Sequence, residues 1–163
     1  MSTSASDVAN YILRKSGPMT AMKLQKLAYY SQAWHLVWED RQLFNDRIRA
    51  WANGPVAPSL YRQHRGKFRV SAGNFEGDGS KLSPKQRSTV DAVIEFYGCK
   101  SGAELSELTH AEAPWRDARI HAGLAPGERG DALIHLDSMA EYYGGLIEPP
   151  DDCTHCYLSL IHI

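Results

Sequence analysis

His110-Ala111-Glu112 and, far downstream, the pair Cys153-x-x-Cys156 carry the residue types of a zinc deaminase. In that chemistry one His and two thiolates hold the metal, and a carboxylate outside the ligand set moves the proton of the metal-bound water. The context departs from it. Asp151 and Asp152 separate Pro150 from Cys153, where the deaminase pattern has Pro directly before the first Cys. Pro114-Trp115 reads as a helix start, which makes His110 a turn residue, and a deaminase sheet needs more strands than the chain offers. A second set, Cys153, His155, Cys156 and His162, would place its ligands on a terminus, where a closed tetrahedral site rarely forms. The expectation is no metal, no cofactor and no catalytic residue.

Other reactive types fare similarly. The glycines from Gly73 to Gly79 resemble a phosphate cradle in composition, but Ser80 stands between Gly79 and Lys81, and the next helix carries its own cap at Ser83. This segment therefore reads as a mobile surface loop. Cys99 follows Gly98 at a helix C-terminus, where the dipole disfavours a thiolate, so it reads as structural. His35 falls on the inner side of an apolar helix and reads as a hydrogen-bonded core residue. The strip Arg62, Arg65, Lys67 and Arg69, interleaved with Tyr61 and Phe68, is either a solvated helix end or a face for RNA or an acidic protein.

The elements that position these groups are mostly helices. Ser6 is the expected cap of a first helix that Gly17-Pro18 stops. Thr20 caps a second helix reaching about Trp38, with Met19 stapled on Leu24. Leu24, Leu27, Ala28, Ser31, Trp34, His35 and Trp38 share one side, and Met22, Tyr29, Ala33, Leu36 and Val37 lie opposite, with Gln25 and Gln32 between. A helix apolar on two sides is the central helix of a fold. Next, "LFNDRIRAW" reads as two extended pieces turning at Asn45-Asp46. Gly54-Pro55-Val56 reads as a fixed corner that sends Trp51 inward, and Pro58 opens a third helix that carries Tyr61 outward. "FRV" is a short strand. Capping boxes at Ser83 to Gln86 and Ser101 to Glu104 open two more helices, and a brief helix follows at Pro114-Trp115. "ALIHL" is a strand, and Asp137 is the expected cap of a last helix through Met139, Tyr143 and Ile147. The fold class is mainly α: a single compact helical domain around a central buried helix, with a few short strands and a hairpin.

Composition narrows the partners. Among 163 residues, 18 Lys plus Arg face 19 Asp plus Glu, a formal net charge of -1 that argues against a dedicated binder of DNA phosphates. Three cysteines fit a reducing cytoplasm. The first residues have neither a basic leader nor a long apolar run, and no segment has the length of a membrane span. The segment 148–163, "EPPDDCTHCYLSLIHI", turns abruptly apolar and reads as a disordered or non-native tail beyond a domain of residues 1–147.

The order of the segments carries more than any one of them. "MTAMKLQKLAYYSQAWHLV", "LFNDRIRAWANGPVAPSLYRQHRG", "LTHAEAPWRDAR" and "LIHLDSMAEYYGGLI" together resemble the Panacea domain, the SocA-like antitoxin family long described as phage-associated protein. The resemblance runs from about Val8 to Ile147, and Leu24, Lys26, Leu27, Trp51, Gly54, Pro55, Val56, Pro114 and Trp115 stand at signature positions. It implies a mainly helical protein without catalysis that neutralises a cognate toxin from a neighbouring gene by direct binding. One branch of the family also acts as an adaptor to a AAA+ protease such as ClpXP. A prophage accessory protein binding another protein or nucleic acid, and a zinc enzyme, stay as alternatives. For the partner face, Tyr30 on the more polar flank of the central helix joins Tyr61, Arg62, Arg65 and Lys67.

Overall fold

The computed structural model describes residues 2–146. In chain order they form α1 (Ala5–Ser16), β1 (Met19–Thr20), α2 (Ala21–Glu39), β2 (Arg49–Trp51), β3 (Gly54–Val56), α3 (Pro58–His64), β4 (Arg69–Val70), α4 (Pro84–Tyr97), α5 (Gly102–His110), α6 (Ala113–His121), β5 (Ala132–Leu133) and α7 (Leu136–Gly145). The fold is mainly α, with a few short antiparallel strands.

α2 is the axis of the molecule. The Thr20 hydroxyl accepts from the Lys23 amide at its start, and Asp40, at φ 56°, closes it in the left-handed region. Between these ends every residue from Leu24 to His35 is buried, because α4, α5 and α7 pack on it while α1 and β3 cover the remainder. The polar residues of this helix are therefore internal connectors. Gln25 accepts from the Ala57 amide at 2.9 Å and donates to His64 Nε2 at 2.9 Å. Gln32 accepts from the Leu43 amide and donates to the Phe44 carbonyl, and His35 donates to the Arg41 carbonyl. Each side chain replaces a missing backbone partner of a buried loop, which such groups require.

Several expectations are corrected. α1 is capped by Ser4, not Ser6, because Asp7 reaches back to the Ser4 amide and completes a capping box. Asn45-Asp46 is not a hairpin turn: Asp46 accepts from the Ala5 amide and from the Ser59 hydroxyl, so tertiary bonds take the carboxylate that a turn would use. The hairpin is β2–β3, with Trp51 opposite Gly54 across a two-residue turn, Ala52-Asn53. Gly54-Pro55-Val56 is thus a strand, not a corner. β5 adds to the other edge of β2, giving the order β3-β2-β5, while β1 pairs with β4. The glycine-rich segment is docked on α1. The Asp78 amide donates to Asp7, the Gly79 amide donates to Asn10, and Gly77 lies so close to the Ser6 backbone that a Cβ would overlap it. His135, not Asp137, stands at the cap of α7. Cys99 is exposed.

Candidate functional site

α3 runs from Pro58 to His64, Arg65 stands at its C-cap, and Gly66, at φ 82°, reverses the chain into β4. This short path leaves Arg62, Arg65, Lys67, Phe68 and Arg69 exposed. Phe68 is 79% exposed although its carbonyl is held by the Ala21 amide at 2.8 Å, so its backbone is anchored while the ring stands in solvent. Among the described residues none of the four cations on this strip has a carboxylate within ion-pair distance. Tyr61 is only half exposed. Its ring lies edge-on to Trp51, centroids 5.0 Å apart, and to His64 at 5.4 Å. It bridges the strip to the β2–β3 hairpin instead of projecting outward.

Beneath that hairpin runs the Lys26 side chain, 1% exposed. A Cβ on Gly54 would stand 2.5 Å from Lys26 Cε, 3.2 Å from its Nζ and 3.1 Å from Thr109 Oγ1, and Gly54 adopts φ 124°. Burial lowers the Lys26 amine to about 8. Two imidazoles flank this charge. His64 and His110 are both pushed below the ordinary histidine value, chiefly by burial and further by the Lys26 charge. His110 donates one ring nitrogen to the Asn53 carbonyl. Its Nε2 is buried without a hydrogen-bond partner among the described residues, so the donating atom is Nδ1. The ring stacks on Trp115 at 4.0 Å and 11°, and Trp115 Nε1 donates to the Trp51 carbonyl. The Arg119 guanidinium also lies over the Trp115 ring, 5.2 Å from its centroid, and donates to the carbonyls of Ala50, Ala125 and Glu128.

Glu112 precedes α6 at the cap position, yet its side chain makes no capping bond. It turns inward instead. Tyr30 and Tyr143 each donate a hydroxyl to Glu112 Oε1 at 2.7 Å, and Tyr29 shares a hydrogen bond with Tyr143 at 3.0 Å. Burial raises the Glu112 carboxyl to about 7, against the two hydroxyls, which lower it. The tyrosine rings pack on one another, Tyr30 stacking on Tyr97 at 4.0 Å. This centre joins α2, α6 and α7.

Tyr30 is therefore corrected: it is fully buried and offers nothing to a partner, because the polarity of its flank is consumed by Glu112. Arg62, Arg65 and Lys67 share one exposed strip, with Tyr61 at its inner edge. Of the signature positions, Leu24, Leu27, Gly54, Pro55, Val56, Pro114 and Trp115 are buried, and Trp51 is half-buried with its Nε1 on Asp131. Lys26 lies beneath Gly54 and Trp115 stacks on His110, while Leu24 and Leu27 belong to the core. His110 is the last residue of α5, not a turn residue. Among the described residues no group of three or more His, Cys, Asp or Glu side chains is arranged to hold a metal, and Cys153, His155, Cys156 and His162 lie outside them.

The Lys26 centre was hidden in the sequence by its place in a helix otherwise scored as core; a lysine on an apolar face was the available signal. His64 carried no such signal.

A family model described as antitoxin SocA-like, Panacea domain, matches residues 24–116, which includes both buried centres except Tyr143 and the whole exposed strip. The chain is 40% identical over 130 residues to "Antitoxin SocA" of Caulobacter vibrioides (strain NA1000 / CB15N), covering 70% of this chain and 69% of that protein. No solved structure matches. With the match extending over more than half of its residues, the chain belongs to the SocA-like antitoxin, Panacea domain family.

Proposed function

We propose that the protein is an antitoxin that neutralises a cognate toxin by direct binding, through the exposed strip of α3 and β4. Family membership supports the antitoxin role, and a toxin partner follows from it in general terms. The observation that supports the location is the strip itself: Arg62, Arg65, Lys67 and Arg69 without ionic partners among the described residues, around an aromatic ring 79% exposed. An anchored aromatic ringed by unpaired cations suits an acidic surface with one apolar pocket. Inhibition then needs no catalytic group. The toxin is occluded, or it is presented to a AAA+ protease such as ClpXP, with the antitoxin acting as adaptor in the cytoplasm. No helix among the described residues is long and apolar enough to cross a membrane.

Coexpression with the neighbouring gene tests this. Growth should be rescued and the two products should copurify, whereas Arg62→Glu with Arg65→Glu should slow association roughly tenfold at low salt and leave folding unchanged. Growth arrest despite abundant folded protein sinks the antitoxin reading, and rescue unaffected by the charge reversal places the interface elsewhere. A toxin half-life that shortens only when the protease is present separates adaptor from occlusion.

A further inference from the structure

A strand at the edge of a sheet presents backbone donors and acceptors that its own sheet leaves unpaired. In the three-stranded sheet the edges are covered, since β3 is buried throughout and β5 packs on α6. The small sheet differs. β1 pairs with β4 in the register Met19 to Val70 and Thr20 to Arg69, and the Ala21 amide donates to the Phe68 carbonyl at 2.8 Å. In an antiparallel ladder, hydrogen-bonded pairs alternate with pairs whose own backbone groups point apart. The bond from Ala21 to Phe68 flanks the pair of Thr20 and Arg69 and makes it one of the latter, so the Arg69 amide and carbonyl point away from β1. Among the described residues no hydrogen bond reaches either group. The neighbouring amides are engaged: Lys67 donates to the His64 carbonyl and Ser71 to Asn74 Oδ1. One open donor and acceptor thus stand next to Phe68, whose ring is 79% exposed.

We propose that the open edge of β4 pairs with an extended acidic segment of the protein partner, which adds as a strand against Arg69 and sets one apolar side chain on Phe68. Resting on the antitoxin reading above, this adds how the partner is held. A carbonyl of the segment accepts from the Arg69 amide, an amide of the segment donates to the Arg69 carbonyl, and the side chains decide which segment fits. Arg62, Arg65 and Lys67 have no carboxylate within ion-pair distance among the described residues. Arg69 also lacks one, its guanidinium donating to the Pro18 carbonyl at 3.3 Å. These cations select acidic residues around the apolar one. They disfavour a second copy of this chain as the occupant, because pairing β4 with β4 sets like charges face to face. Two main-chain hydrogen bonds are few. Phe68 therefore carries the larger share of the affinity, and the backbone of Arg69 fixes the direction and register of the segment.

Amide hydrogen exchange tests it, read residue by residue by nuclear magnetic resonance in the full chain, alone and in complex with the neighbouring gene's product. In the free chain the Arg69 amide should exchange fast and the Val70 amide, which faces Met19, slowly. In the complex Arg69 should slow roughly tenfold or more while Val70 changes little. Phe68→Ala should weaken the complex about thirtyfold. Arg69→Ala removes the charge and keeps the amide, whereas Arg69→Pro removes both and leaves the bonds to β1 in place. The Pro variant should therefore bind roughly fivefold more weakly than the Ala variant. Should it fail to fold, exchange of Arg69 in the wild type decides alone. A complex in which the Arg69 amide stays as fast as in the free chain overturns the added strand and leaves the antitoxin reading intact. No complex with a product that arrests growth overturns both. Binding of a single-stranded RNA oligonucleotide by the strip, with the gene product ignored, overturns the protein segment in favour of nucleic acid.

Discussion

Two buried ionisable centres lie along the same central helix, and the fold treats them oppositely. Glu112 is enclosed by tyrosines, with two hydroxyls on one carboxyl oxygen and a third tyrosine behind them. Lys26, one turn before Tyr30, receives no comparable partner among the described residues. Burial alone moves each group toward its neutral form, the acid up to about 7 and the amine down to about 8. The difference lies in hydrogen bonding. The Glu112 centre is a hydrogen-bonded joint between α2, α6 and α7, whereas Lys26 packs beneath Gly54 with no carboxylate at ion-pair distance among the described residues.

The largest expected effect breaks the completed side. Glu112→Ala leaves two buried hydroxyls unpaired and a void between three helices, and should cost about 4 kcal/mol in urea denaturation. Glu112→Gln keeps the volume and isolates the proton. Because the folded carboxyl sits near 7 and the ordinary value is 4.5, the folded state holds a proton that the unfolded chain has released. That contribution is fully present below pH 4.5 and is lost as pH rises to about 7, a decline of about 3 kcal/mol in the wild type. The Gln variant should lack this slope.

The open side should respond in the other direction. Lys26→Met retains the buried stem and removes the unpaired charge, so it should stabilise the free chain by about 2 kcal/mol at pH 7. In the wild type, stability should rise between pH 8 and 10.5 as the unfolded chain keeps protons the folded one has lost, and the Met variant should show no such rise. A Met variant less stable than wild type would mean that Lys26 is already paired, and the contrast between the centres would disappear. The smallest effect sharpens the geometry above Lys26. Gly54→Ala puts a Cβ against Lys26 Cε at a φ of 124°, and should cost about 1.5 kcal/mol, part of it recovered in the double variant with Lys26→Ala. Thermal denaturation of the four-member cycle measures the shared portion.

Features built from neighbouring residues were legible in the sequence. The caps at Thr20, Ser83 and Ser101 lie where the side chains predict them, since a cap requires only a hydroxyl and an amide three residues away. The central helix was legible from apolar residues on two sides, and the order of four motifs indicated the family. Misreadings arose where distant partners compete for a local signal. Asn45-Asp46 has the composition of a turn, but Ala5 and Ser59 claim the aspartate. Glycines that suggest mobility permit close approach to α1 instead. Tyr30 reads as half-polar and surface-bound until Glu112, 82 residues away, accepts its hydroxyl.

By itself, then, the sequence determined the helices, the caps at Thr20, Ser83 and Ser101, the basic strip and membership of the Panacea domain family, all of which rest on short-range spacing or on the order of motifs. Only the tertiary structure decided which charges are enclosed and which of those are satisfied. Desolvation and pairing depend on groups that packing brings together from α2, the hairpin, α5, α6 and α7, and no local pattern encodes those partners.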